Sequence, residues 1–286
     1  MRDTTKTPTK WLVLALMVLT NVFVTTMPVS ALPVLFKEIS EDLDLSLVQI
    51  GSVWGMGNLA AIFVSLLAGV LADRFGTRRT LIVFCFLTAL TGALRGLSDS
   101  FGILVVTVLI NGAVRLVVPV AVTKNIGLWF RDGRLGLAMG LVMMGMGLGL
   151  MLGPLLSASL LSPWLGGWRN VMFFLGGLAG VVTLLWLLLS RETPTPIEAD
   201  GDSVSILQAF RDLLRVRPIW IMGATLLFRV GCLMGVTGYM PLYLRDFLNW
   251  KPGLADGTLS AFYAVSAAVV VPLTFLSDRT GSGVRL

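Results

Sequence analysis

Two arginines stand in the middle of long apolar runs, Arg115 in "VLINGAVRLVVPVAV" and Arg229 in "IMGATLLFRVGCLMG". A guanidinium at the centre of a bilayer costs about 2.5–3.5 kcal/mol on insertion scales, so it needs a polar cavity or a partner. Its planar fork matches a carboxylate or similar oxyanion, and Asn111 and Asn21 add amide groups in the same kind of apolar surroundings. The chemistry these residue types suit is binding of a small anion, with Arg115, Arg229, Asn111 and Asn21 as candidate contacts. The alternative is structural: each arginine bonds backbone carbonyls or a polar neighbour such as Asn21 and stabilises the bundle. Lys124, nearer a helix end, can snorkel and is a weaker candidate.

Catalytic chemistry has little to stand on. There is no His, the two cysteines Cys85 and Cys232 lie far apart in apolar runs, and no nucleophile elbow, phosphate-loop lysine or zinc-protease motif occurs. An intramembrane enzyme is therefore a remote reading, and no cofactor or metal is expected. The acidic residues, Glu38, Asp246 and Asp256 among them, all fall at segment ends or in loops, which leaves a proton relay without its usual carriers.

The elements that position these residues are helices in a membrane. The chain is 56% hydrophobic and only 13% charged over 286 residues, against about 25% charged in a soluble domain. Its apolar runs have the length of spanning helices and lack the alternation of a barrel strand. Eight segments are expected, near residues 11–36, 48–72, 80–97, 101–128, 135–161, 168–189, 218–244 and 258–276. The first run is too long for a signal peptide. Alternating loops gather Arg74, Arg78, Arg79, Arg131, Arg134, Arg191 and Arg211 on the side of the N-terminus, which the positive-inside rule makes cytoplasmic. The net charge of +6 follows from that topology and the anionic lipid it faces, and no nucleic-acid partner is expected.

The densest charge is in "GVLADRFGTRRT", residues 69–80, where a glycine-marked turn links the second and third segments. A degraded copy, "TFLSDRTGSGV", follows the eighth segment, matching Asp73 to Asp278, Arg74 to Arg279 and Gly76 to Gly281. The two copies lie six segments apart on one side of the membrane, so the repeat is parallel. Between the units, residues 191–217 form the one long polar connection, read as a proline-broken linker followed by a short amphipathic surface helix. The domain expectation is a six-helix bundle over 1–190, a cytoplasmic linker over 191–217, and two helices of a second bundle over 218–286.

Gly69, Asp73, Arg74, Gly76, Arg78 and Arg79 together resemble the signature loop of the major facilitator superfamily. "PVAVTKNIGLWFRDGRLGLAMG" is similar to the fourth-to-fifth helix junction of its anion-porter and cyanate-permease-like branches, and Gly149, Gly153 and Pro154 resemble its fifth-helix motif. The resemblance implies an all-α membrane fold of two six-helix bundles working by alternating access, here stopping after the eighth helix, as a truncated chain would. It implies further that Asp73 faces the positive end of a helix in the other bundle, while the arginines bridge to neighbouring loops, Asp132 being the nearest partner. Topology anchoring alone is the other reading of those arginines. The glycine stripe of the fifth segment serves helix packing, or bundle sliding, or both. The expected protein is a monomeric, multi-pass transporter in the cell inner membrane, moving a small organic anion by exchange or with a coupling ion, proton or counter-anion. A membrane sensor or assembly factor with the same fold is the alternative.

Overall fold

The computed structural model describes residues 7–130, 134–190 and 216–280, and within them the chain is a bundle of eight long helices. Helix α1 covers residues 7–43, as α-helix Thr7–Leu19, a π-helical stretch Thr20–Thr26 and α-helix Met27–Leu43. Helices α2 (Leu47–Phe75), α3 (Thr77–Leu94, with a 3₁₀ turn Arg95–Leu97) and α4 (Phe101–Trp129) follow. Then come α5 (Leu135–Leu165, π-helical over Ser157–Leu161), α6 (Trp168–Leu189), α7 (Arg217–Asp246) and α8 (Pro252–Thr280). Among the described residues, six helices, α1 and α3 to α7, are long and apolar enough to cross a membrane by composition. The sequence-expected residues 191–215, Asp132 and Gly281 lie outside the described residues.

The helices begin and end where local chemistry dictates. Ser46 caps α2 with a reciprocal box: Gln49 N–H donates to the Ser46 hydroxyl, and Ser46 N–H donates to the Gln49 amide oxygen at 2.8 Å. Asp44 turns left-handed at φ 51° to end α1, and Gly166 and Gly167, both at positive φ, make the α5–α6 turn. Within the π-helical stretch of α1, threonine hydroxyls take up backbone carbonyls: Thr25 and Thr26 both donate to Asn21 O, at 2.7 and 2.6 Å. Trp186 of α6 donates its indole N–H to Thr20 at 2.7 Å, tying α6 to the same stretch.

Lipid tails give helices no hydrophobic reason to associate, so close packing has to hold them. The α5 glycines supply it. A side chain at Gly149 would collide with Thr26, and one at Gly153 with Ser30, because α5 lies directly on the backbone of α1. Ser30 donates to Gly149 O at 3.2 Å across that contact. Gly112 of α4 meets Gly57 of α2 in the same way. Two apolar cores result, one around Leu16, Met17, Leu81, Ile126 and Trp186, the other around Leu35, Phe36, Ile39, Leu104 and Met172. Leu259 of α8 joins the second core, and Met240 of α7 packs on it.

Several helices outrun their apolar runs. α1 continues seven residues past Phe36 to Leu43, and α8 starts at Pro252, six residues before Thr258. Hydropathy drops at Lys37 and at Asp256, but the backbone does not stop there. Charged residues expected in loops are therefore carried on helices and packed against one another.

Candidate functional site

The turn that carries the charged motif sits at one end of the bundle, the motif end. Gly76 alone joins α2 to α3, at φ 78° and ψ 149°, a conformation that disfavours any residue with a Cβ. Thr80 closes the turn by donating both N–H and hydroxyl to Gly76 O, at 3.1 and 2.8 Å. Asp73, on the last turn of α2, forms an ion pair with Lys124 of α4. Thr77 donates to the buried Asn125 side chain at 3.1 Å, and Arg78 donates from Nε to Ser190 at the end of α6 at 2.8 Å. Arg74 lies over the neighbouring Phe75 ring, 5.8 Å from its centroid, and Arg79 is exposed. Gly69 is half-buried on α2, with open space where its side chain would be. The motif thus staples α2, α3, α4 and α6 together. Lys124 was the missed partner: its sequence position, one turn from the end of an apolar run, marks it only as a cation free to reach the surface. Of the second copy, Asp278 and Arg279 lie on the final turns of α8, and their side chains are not among those described.

At mid-height, Arg115 is partly buried on α4, and none of the described residues hydrogen-bonds or ion-pairs with it. Asn111, one turn earlier, donates to Thr88 O at 3.1 Å and to the Thr91 hydroxyl at 2.9 Å, joining α4 to α3. Arg95, at the end of α3, is 4% exposed, folded back so that its Nε donates to Gly92 O, and near enough to Arg115 for the two charges to interact. Asn21 lies between α1 and α5, its amide nitrogen 3.4 Å from Val142 O. Arg229 is exposed on α7, and α7 does not pack on α4, so Arg115 and Arg229 are not brought into contact. Gly149, Gly153 and the buried Pro154 form the α5 face laid on α1.

The end opposite the motif is a third charged region, and sequence reasoning passed over it. Lys37 of α1 pairs with Asp246 of α7 at 2.7 Å. Arg245 of α7 pairs with Asp256 of α8, and both are buried, at 8% and 1% exposure. Ser159 of α5 donates to the other oxygen of Asp256 at 2.5 Å. Ser162 donates to Glu38, which lies within electrostatic reach of Arg245 and Asp256. Asp256, expected at a segment end or in a loop, stands near the start of α8 and is buried there. Trp54 of α2 adds an indole N–H donated to Met234 O at 3.0 Å. Among the described residues, the polar contacts between α1–α6 and α7–α8 include Lys37 to Asp246, Ser159 to Asp256 and Trp54 to Met234. Toward the motif end, the described side chains of α7 from residue 218 to 233 are exposed.

The chain that builds this bundle matches the model of the Major Facilitator Superfamily over residues 14–286. The chain belongs to the Major Facilitator Superfamily. Relatives within the superfamily include the probable nitrate/nitrite antiporter NarK1 of Thermus thermophilus, 27% identical over 259 residues, covering 87% of this chain and 57% of the relative. The probable galactarate/D-glucarate transporter GudP of Escherichia coli (strain K12) is 26% identical over 168 residues, covering 54% of this chain and 36% of the relative. Among solved structures, the D323A mutant of the nucleoside transporter NupG superposes with a TM-score of 0.76 at 15% identity, covering 94% of this chain and 69% of that one. The chain thus spans a little over half of NarK1 and about a third of GudP. As a superfamily member with several membrane-spanning helices, it is an all-α, multi-pass membrane protein.

Proposed function

We propose that this chain is the larger part of a non-enzymatic secondary transporter that moves a small anion by alternating access. The observation that carries the reading is Arg115, a mid-membrane guanidinium without a described protein partner, backed by the buried Arg95. Positive charge held in a medium of low dielectric attracts anions and repels cations strongly. Nitrate, nitrite, galactarate and glucarate, named for the two relatives, are all anions, which supports the sign of the substrate. Arg229 on α7 supplies the second side of the clamp in this reading, reaching the anion when the halves approach. Asn111 holds α4 in place, and Asn21 the α1–α5 contact, from positions one step behind the anion.

Residues 1–190 act as one moving body and residues 218–286 belong to the other, with 191–217 as the linker. The motif end faces the cytoplasm, as the arginine distribution favours, and so does the N-terminus. In this reading the contacts of Lys37 with Asp246 and of Ser159 with Asp256 hold the opposite mouth closed. Asp73, Arg74, Arg78 and Arg79 stiffen the cytoplasmic rim and, with the second copy around Asp278, Arg279 and Gly281, seal it in the alternate form.

The test is counterflow in proteoliposomes made with the full-length gene product. Vesicles preloaded with nitrate or a dicarboxylate should accumulate the labelled anion, and a labelled organic cation should not enter. Uptake of cations alone would remove the anion reading.

A further inference from the structure

Arg95 is a buried cation without a counter-charge among the described residues. It is 4% exposed, and its one described hydrogen bond runs from Nε to Gly92 O at 3.3 Å, which leaves the outer edge of the guanidinium unspent. Two glycines fix this inward pose. Gly96, the next residue, lies so close to Arg169 O and the Phe173 ring of α6 that a side chain there would collide with both, so the turn carrying Arg95 is pinned against α6. Gly92 leaves free the space into which the side chain folds: a Cβ on Gly92 would stand 3.4 Å from Arg95 Nη2 and 3.7 Å from Asn111 Nδ2. The guanidinium edge and the Asn111 amide therefore share one patch between α3 and α4.

Asn111 does not satisfy Arg95, because its amide group donates to Thr88 O and to the Thr91 hydroxyl. Arg115 stands one helical turn beyond Asn111 on α4, also without a described partner. The described carboxylates that form ion pairs form them elsewhere: Asp42 and Asp99 with Arg169, Asp73 with Lys124, Asp246 with Lys37, and Asp256 with Arg245. A guanidinium stays charged at any pH the protein meets, so losing a proton does not relieve it. Burying an unpaired charge is costly, and a bound anion removes the cost.

We propose that Arg95 is a second anion-binding position beside Arg115, so that the site takes a compact dianion, with one oxyanion group on Arg115 and the other on the Nη edge of Arg95. Asn111 ties α4 to α3 and so holds the two forks at a fixed spacing. Planar forks on both groups favour carboxylates, which each fork can meet with two parallel hydrogen bonds. The inference rests on the anion reading of Arg115 and names its substrate class.

Titration calorimetry of the purified full-length protein near neutral pH, where both carboxyl groups of a diacid are ionised, compares butyrate with malonate, succinate and glutarate. At least one diacid should bind roughly 10- to 100-fold tighter than butyrate, the worth of one further charge-assisted contact. Arg95→Gln should collapse that ratio to within about threefold. Arg95→Lys, which keeps the charge and loses the fork, should lower it several-fold. Arg115→Gln should weaken butyrate as well as the diacids. A wild type that binds no diacid better than butyrate, or a ratio that survives in Arg95→Gln, overturns the dianion site, while butyrate binding lost in Arg115→Gln would leave the anion reading standing. Binding of an organic cation and of none of these anions removes both. If Arg95→Gln does not fold, the wild-type ratio and Arg95→Lys decide, an unchanged ratio in the lysine variant counting against the site.

Discussion

Arg115 and Asp73 make opposite demands on substitution. Arg115 has no described protein partner, and in the proposed anion clamp Arg115→Lys keeps the charge while losing the two-pronged geometry. Losing one charge-assisted hydrogen bond of about 1.5–3 kcal/mol corresponds to roughly 10- to 100-fold. Uptake kinetics of Arg115→Lys should show a loss of that size in kcat/KM, and Arg115→Gln a larger one, with membrane insertion unchanged. Normal transport in both would make the residue structural. Asp73 is spent on Lys124 at an exposed surface, where such pairs contribute little stability. Asp73→Asn should therefore leave expression and thermal unfolding close to wild type while slowing transport several-fold. A large drop in Tm with normal uptake would show that the pair holds the fold and has no part in the cycle.

At the scale of the element, α5 lies close on α1, since side chains at Gly149 and Gly153 would meet backbone as well as side chains. Gly149→Val should force the helices apart at a cost of about 1–3 kcal/mol or more. The fluorescence melting curve of the purified protein should move down by about 5–10 °C. Gly136→Ala, where the added methyl meets open space, should move it little. Helices α4 and α6 were legible in the sequence to within a residue at either end, because their apolar runs and their hydrogen-bonded lengths coincide. The ends of α1 and α8 were not, because hydropathy reports what a residue would prefer as a neighbour, whereas a helix continues as long as its carbonyls are bonded. Lys37, Glu38 and Asp256 are polar residues whose neighbours come from distant segments, and no local pattern announces that Ser159 will stand 2.5 Å from Asp256. Arg95 was missed for a related reason: at the end of α3 it folds back along its own helix instead of reaching water.

Over the whole molecule, the Lys37–Asp246 pair joins the two halves at the mouth opposite the motif, so a tether placed there should stop turnover in the proposed cycle. Lys37→Cys with Asp246→Cys, in a Cys232→Ser background, should be bridged by a short bifunctional thiol reagent, since the native side chains meet at 2.7 Å. Uptake should fall at least tenfold on bridging by a reducible reagent and return on reduction. Undiminished uptake by the bridged protein would mean that this mouth does not open in the cycle. At the other end, the single residue between Phe75 and Thr77 sets a limit of a different kind. Each residue added to a helix rotates the downstream chain by about 100°. One extra residue beside Gly76 would swing Thr77 away from Asn125 and Arg78 away from Ser190 at once. An epitope tag or fluorescent reporter inserted there should leave the protein undetectable at the membrane, and changes in chain length between relatives have to be absorbed at other turns.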